Sequence, residues 1–239
     1  MSLLQVRDLH VHHGQLLALQ DFDLSVDAGE TVAVIGANGA GKSTLLGALA
    51  GLFRPSTGSV VLDGIDITRM PAYHRVGAGI ALVPEGRRLF ASLTVEENLE
   101  TGAYRARKGP WNVKRVMELF PWMTDRRRQS ASQLSGGEQQ AVAIGRALVG
   151  NPRVLLTDEL SLGLAPVVVQ NIYGILPRIV EEGTALLIVE QDLSQALQVA
   201  DRIKCLLEGK TVLEGTSADF TLQQIEAAYF GTAEELPGA

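Results

Sequence analysis

The chain is short of several things, and each shortage closes a class of function. Its 239 residues include one cysteine, Cys205. A single thiol forms no internal disulfide and cannot build a four-cysteine metal cluster, so Cys205 reads as a small apolar residue late in the chain. No run approaches the ~18 consecutive apolar residues of a membrane span, so no transmembrane helix is predicted. Basic residues are outnumbered 21 to 27 by acidic ones, leaving a net charge of −6. There is therefore no global basic field to grip nucleic acid or an anionic membrane, and no nucleic-acid partner is expected. Residues 1–9 alternate and carry Arg7 and Asp8. They lack the basic head and apolar run of a secretion signal, so the expected location is the cytoplasm, where docking on a membrane protein stays open. Low-complexity tracts and repeats of fixed period are also absent.

What is present is an alternation of short apolar strands with helices. Leu4, Val6 and Leu9 stand among polar residues as a strand, residues 10–14 read as a polar turn, and residues 17–26 alternate again. Residues 31–35 form a β-rich run, followed at once by glycine-rich sequence and a helix-like stretch over 42–52. Asp63-Gly64 predicts a hairpin, and a strand over 80–83 is stopped by Pro84. From about 93 to 148 the period turns helical, with Val95, Asn98 and Leu99, then Val113, Val116 and Met117, then residues 139–149. Positive charge gathers there, including Arg126-Arg127-Arg128, either as a solvated face or as a contact for an acidic partner. A strand over 154–156 runs into Thr157-Asp158-Glu159. Residues 167–180 are helical in period, and Pro177 is expected to kink or end them. A strand over 185–189, a helix over 192–200, a hairpin around 208–210 and a closing helix over 218–230 follow. The pattern predicts one α/β domain over 1–239, with a mostly helical subdomain at about 93–148 and a short tail at 231–239.

Gly36-Ala37-Asn38-Gly39-Ala40-Gly41-Lys42-Ser43-Thr44 carries the full GxxxxGK[ST] pattern between a strand and a helix, the context this motif requires. Glycines let successive backbone N–H groups turn inward around phosphate oxygens, and the helix N-terminus adds the positive end of its dipole. Lys42 can reach β- and γ-phosphates, the Ser43 hydroxyl can ligate magnesium, and Thr44 can donate to the α-phosphate. A magnesium-dependent hydrolase also needs a carboxylate near the ion and a group to activate water. Asp158 at a strand end suits the first role and Glu159 the second. Leu134-Ser135-Gly136-Gly137-Glu138 opens another helix with backbone N–H groups and one hydroxyl. One γ-phosphate does not need two such termini from one chain, so Ser135, Gly136 and Gly137 read as a cap on nucleotide bound to a partner chain.

With these motifs in this order, the chain resembles the nucleotide-binding subunits of ABC transporters over essentially its whole length. The resemblance implies a P-loop NTPase of the ABC ATPase type, with an N-terminal antiparallel β subdomain and an inserted helical subdomain. It also implies ATP and Mg2+ as ligands, and a head-to-tail dimer with each ATP between one chain's Lys42 loop and the other's Ser135 loop. The expected location is then peripheral, on the cytoplasmic face of the membrane, beneath two permease subunits and served indirectly by a substrate-binding protein outside. The strings at 83–90, 94–99, 161–166 and 189–192 look like the branched-chain amino acid importer branch, specifically its second, shorter ATPase. Relatives in urea and amide uptake share much of the pattern. A non-transport ABC ATPase is the alternative class, although such chains often carry two ATPase halves or added domains. The 84–88 string disfavours a lipid exporter.

Several positions depart from the wider family. Glu85 stands where a glutamine usually senses magnesium and γ-phosphate; it has the same reach but only accepts hydrogen bonds when ionised. Gln191 replaces a histidine that holds the γ-phosphate and orients the glutamate. Ala165 replaces a dimer-contact aspartate. These three changes occur in the importer branch and imply that two unlike ATPase subunits divide the work, so an ATP-dependent heterodimer is expected. Leu160 replaces a proline. His13 falls where an aromatic residue usually stacks on adenine, although a surface turn would also place a histidine there. His10, His12 and His13 are close together, but no acidic or cysteine partner pattern accompanies them, so no metal is expected. Residues 85–90 are expected to line a groove for a permease helix, unless Leu89 and Phe90 are ordinary core.

Overall fold

The computed structural model describes residues 2–231; beyond Gly231, the expected tail lies outside the described residues. The first layer is antiparallel. It holds β1 (Leu4–His13), β2 (Leu16–Val26), β4 (Thr57–Leu62) and β5 (Ile65–Asp66), in the order β2-β1-β4-β5. The second holds β3 (Thr31–Ile35), β6 (Ile80–Val83), β7 (Val154–Asp158), β8 (Ala185–Glu190), β9 (Arg202–Leu207) and β10 (Lys210–Thr216), in the order β10-β9-β3-β8-β7-β6. It is parallel from β9 through β6, with β10 antiparallel at one edge. Every residue of β3, β7 and β8 is buried, which is why these strands read as unbroken apolar runs: helices cover both faces of a parallel sheet.

The helices are α1 (Lys42–Ala50), α2 (Ala72–Ala78), α3 (Val95–Thr101), α4 (Val113–Leu119), α5 (Trp122–Asp125), α6 (Gly136–Val149), α7 (Pro166–Glu181), α8 (Leu193–Val199) and α9 (Leu222–Phe230). Four of them, α3 to α6, lie between β6 and β7 in the chain. They bury Leu99, Val116, Met123, Val142 and Ile144 in one cluster that continues under α7.

Local chemistry moves several boundaries away from expectation. The polar turn expected at 10–14 is the end of β1: His12 and His13 pair with Leu17 and Leu16 of β2 across a bulged register, so ladder hydrogen bonds override the polar composition. Helix α6 begins at Gly136 instead of near 139, because Ser135 and Glu138 close a reciprocal capping box. The last helix starts at Leu222, where Thr221 caps it; residues 217–219 are a 3₁₀ turn. Pro177 does not end α7, which continues to Glu181. The proline is on the solvent side, where water can satisfy the carbonyl it leaves free.

Two buried cations tie layers together. The Arg75 guanidinium donates to the carbonyls of Ala48 at 2.7 Å, Leu49 at 2.8 Å, Thr68 at 2.8 Å and Met70 at 2.9 Å. Burial lowers its pKa to about 10, so it stays charged. Lys204 on β9 donates to the Asp23 carbonyl, pairs with Glu214 at 2.8 Å and lies 4.9 Å from the centre of the Phe22 ring. It thereby joins β2 to the parallel layer.

Candidate functional site

Strand β3 delivers the chain into residues 36–41 and α1 carries it away. Two glycines there admit no side chain. A Cβ on Gly36 would stand 2.4 Å from the Leu206 carbonyl oxygen, and one on Gly41, at φ +105°, 2.6 Å from that of Ala18. Gly41 is also the N-cap of α1, and no side chain caps that helix. Its first turn therefore keeps N–H groups without a side-chain partner, the arrangement that receives anions.

Lys42 is 4% exposed. Its Nζ folds back on the loop, 2.7 Å from the Gly36 carbonyl and 3.1 Å from that of Ala37, and lies 3.8 Å from Glu159 Oε1. Burial pulls its pKa down, while Glu159 and Asp158 push the other way. Ser43 Oγ donates to Asp158 Oδ1 at 3.3 Å. Burial is the main cause that pushes the Asp158 carboxyl up to about 6; the nearby charges of Glu159 and Glu85 add to it, while the Ser43 bond and Lys42 oppose it. A hydroxyl and a carboxylate side by side, with further carboxylates crowding them, are hard oxygen donors in an excess of negative charge. This set fits a magnesium ion.

Glu159 follows at φ +50°, in the left-handed region. Its N–H donates to the Val189 carbonyl at 2.9 Å, and Gln191 Nε2 donates to its Oε1 at 2.5 Å. An open cleft of about 470 Å³ is lined by Lys42, Ser43, Thr44, Glu85, Glu159 and Gln191, with His13 and Leu16 at one side. His13 Nε2 lies 3.0 Å from Thr44 Oγ1, and its ring meets Phe53 edge-on at 4.8 Å.

Ser135, Gly136 and Gly137 do not line this cleft. Ser135 Oγ donates to Glu138 Oε2 at 2.8 Å and accepts from the Glu138 N–H, and Glu138 is held by Arg126 at 2.6 Å. Leu89 is half-buried, whereas Phe90 is exposed, with the Arg146 guanidinium 5.8 Å from its ring centre. The three histidines diverge. His12 meets Ser56 and His13 meets Thr44. His10 pairs with Asp8 and Asp21, an acidic pairing that a linear reading of the sequence overlooks.

One group lies within the 189–192 string and yet receives no role from sequence reasoning. Glu190 ends β8 and is 1% exposed. It accepts from Tyr173 Oη at 2.6 Å, from Ser161 Oγ at 2.9 Å and from the Ser161 N–H at 3.2 Å. Burial pushes its carboxyl up, and these bonds pull it back. In the sequence Glu190 is merely the first polar residue after an apolar run. Its partners lie far off along the chain, so no local signal marks it.

A family profile described as ABC transporter matches residues 19–161. The chain is 43% identical to the high-affinity branched-chain amino acid transport ATP-binding protein BraG of Pseudomonas aeruginosa, over 96% of this chain and 100% of that one. It is 32% identical to the lipopolysaccharide export system ATP-binding protein LptB of Haemophilus influenzae, over 97% and 98% respectively. Among solved structures, a nucleotide-free ATP-binding cassette from an ABC transporter superposes with a TM-score of 0.85 at 26% identity, covering 96% of this chain and 99% of that one. Different cargoes appear in the names of these relatives; the ATP-binding subunit is common to them. No helix among the described residues is long and apolar enough to cross a membrane. The chain belongs to the ABC transporter family and is an ABC-type ATPase with the α/β P-loop fold of that family.

Proposed function

We propose that this ABC-type ATPase powers the import of branched-chain amino acids. In this reading it pairs with a related ATPase subunit beneath two permeases, on the cytoplasmic face of the membrane, and a substrate-binding protein delivers the cargo. The observation that carries the catalytic part is the convergence of Lys42, Ser43, Glu85, Glu159 and Gln191 on one cleft. The end-to-end match to a relative named for branched-chain transport supports the cargo. Urea, an amide or another amino acid is the alternative cargo, since subunits other than this one would select it.

In this reading each residue has a role. Lys42 exchanges the carbonyls of Gly36 and Ala37 for phosphate oxygens, acting as a point charge on the β- and γ-phosphates. The uncapped first turn of α1 and the Thr44 hydroxyl donate to the phosphate chain. Ser43 and Asp158, with Glu85 close by, hold Mg2+, which when bound neutralises charge on the phosphate oxygens. Glu159 orients the attacking water and takes its proton, and Gln191 fixes the carboxylate through their 2.5 Å bond. His13 flanks the adenine. Ser135, Gly136 and Gly137 close over nucleotide held by the partner subunit. Ala165 and Gln191 offer less to a symmetric pair than the usual aspartate and histidine, which favours an unlike partner.

Calorimetry on the purified chain tests the nucleotide site: Lys42→Ala loses most of its Mg-ATP affinity, and unchanged affinity would sink the assignment. Reconstitution with the permeases and binding protein tests the cargo. Leucine uptake should exceed urea uptake, and the reverse order would transfer the chain to the alternative.

A further inference from the structure

We propose that Glu190 is a positioning residue for ATP hydrolysis, acting with Tyr173 and Ser161 as a buried latch that holds Glu159 and Gln191 in register. The inference rests on Glu159 being the group that activates water. The same two segments, 159–161 and 190–191, are bridged twice by side chains. One rung lies in the cleft, where Gln191 Nε2 donates to Glu159 Oε1 at 2.5 Å. The other lies beneath it, where Ser161 Oγ and N–H donate to Glu190 at 2.9 and 3.2 Å. The Glu159 N–H also donates to the Val189 carbonyl at 2.9 Å, which ties the same turn to β8.

The second rung has an outside anchor. Tyr173, on α7 and 3% exposed, donates its hydroxyl to Glu190 Oε1 at 2.6 Å. Glu190 thus connects the sheet, the segment after Glu159 and a long helix through one carboxylate. A buried carboxylate is costly to keep unless donors surround it, and here the Tyr173 hydroxyl and the hydroxyl and N–H of Ser161 converge on it, with the Gln191 N–H beside them. Glu190, Tyr173 and Ser161 are not among the residues lining the cleft. The Glu190 charge also reaches Lys42, but its hold on Ser161 and on the end of β8 is geometric. It fixes where Ser161 lies, and hence the backbone two residues earlier. It also fixes where β8 ends, and hence the residue that restrains the Glu159 carboxylate. Catalysis is sensitive to such placement, since a shift of ~1 Å at a reacting group can cost about 10²-fold in rate.

The test compares Tyr173→Phe, Ser161→Ala and Ser161→Thr in the full chain, in complex with the subunits that co-purify with it. Tyr173→Phe keeps the ring and Ser161→Thr keeps the hydroxyl, and an unchanged dissociation constant reports that a variant is folded. Single-turnover hydrolysis and Mg-ATP dissociation constants are measured together. Glu159→Gln in the same complex sets the residual rate contributed by the other site. Expected are rates roughly 10-fold lower for Tyr173→Phe and Ser161→Ala, unchanged dissociation constants, and a Ser161→Thr rate near that of the unsubstituted protein. Wild-type rates in both Tyr173→Phe and Ser161→Ala would overturn the latch, as would losses matched by equal losses of affinity. Failure of the underlying reading looks different: Glu159→Gln itself would then hydrolyse normally, whatever the latch variants do.

Discussion

Two helix starts in this chain look alike in sequence and differ in state. Both starts combine glycine with a hydroxyl residue, Gly41 with Ser43 at α1 and Ser135 with Gly136 and Gly137 at α6. The start of α1 is left open: Gly41 caps it without a side chain, and close backbone contacts with Leu206 and Ala18 hold the loop in place. The start of α6 is closed on itself by Ser135 and Glu138, with Arg126 locking Glu138. A side-chain cap of this kind is worth about 1 kcal/mol. The open terminus is ready for an anion supplied within its own chain. The closed one must exchange the Ser135–Glu138 bond before its hydroxyl can reach a phosphate elsewhere. Readiness at the first and reluctance at the second agree with the proposed pairing, in which α6 serves nucleotide on another subunit.

The comparison can be broken most sharply on the open side. Glu159→Gln should keep ATP binding, lower single-turnover hydrolysis by about 10²–10⁴ and accumulate a closed dimer, visible by size-exclusion chromatography with ATP. Glu85→Gln should cost far less, within roughly 10-fold, and act mainly on coupling to transport; a slower rate than Glu159→Gln would exchange the two roles. On the closed side, Ser135→Ala should leave Mg-ATP affinity of the isolated chain unchanged while lowering its stability by about 1 kcal/mol in urea unfolding. Weaker nucleotide binding there would mean that α6 serves its own chain. Smallest is Glu138→Gln. It retains a capping box and removes only the ion pair to the half-exposed Arg126, for a change of ~0–1 kcal/mol.

The parallel sheet and the phosphate loop were legible because apolar runs and a motif of fixed spacing mark them locally. Strand β6 and the hairpin around Asp63-Gly64 were legible for the same reason. What escaped depends on partners distant in sequence. Helix α2 has seven residues and buries only Arg75 among them, so it shows no apolar stripe. Helix α5 is a single turn. Lys204 reads as a surface lysine until the sheet covers it. The end of β1 looked polar because its pairing, and not its composition, makes it a strand. The glycines at 136 and 137 hid a helix start that the Ser135–Glu138 spacing had encoded. In and beside the cleft, Lys42, Ser43, Glu159 and Asp158 came from motifs. Glu190 came only from the fold, since Ser161 and Tyr173 meet it through tertiary structure.

The burial of Arg75 has a consequence for how α1 is anchored. The Ala48 and Leu49 carbonyls at its end accept from a residue 27 and 26 positions downstream, and Ala48 also accepts from the nearby Gly51 N–H. The end of the helix behind the phosphate loop is therefore closed twice, by its own C-cap and by a distant cation that also holds the Thr68 and Met70 carbonyls. A buried guanidinium without these acceptors would be costly, so the segment from Thr68 to Arg75 and the end of α1 are stable only together.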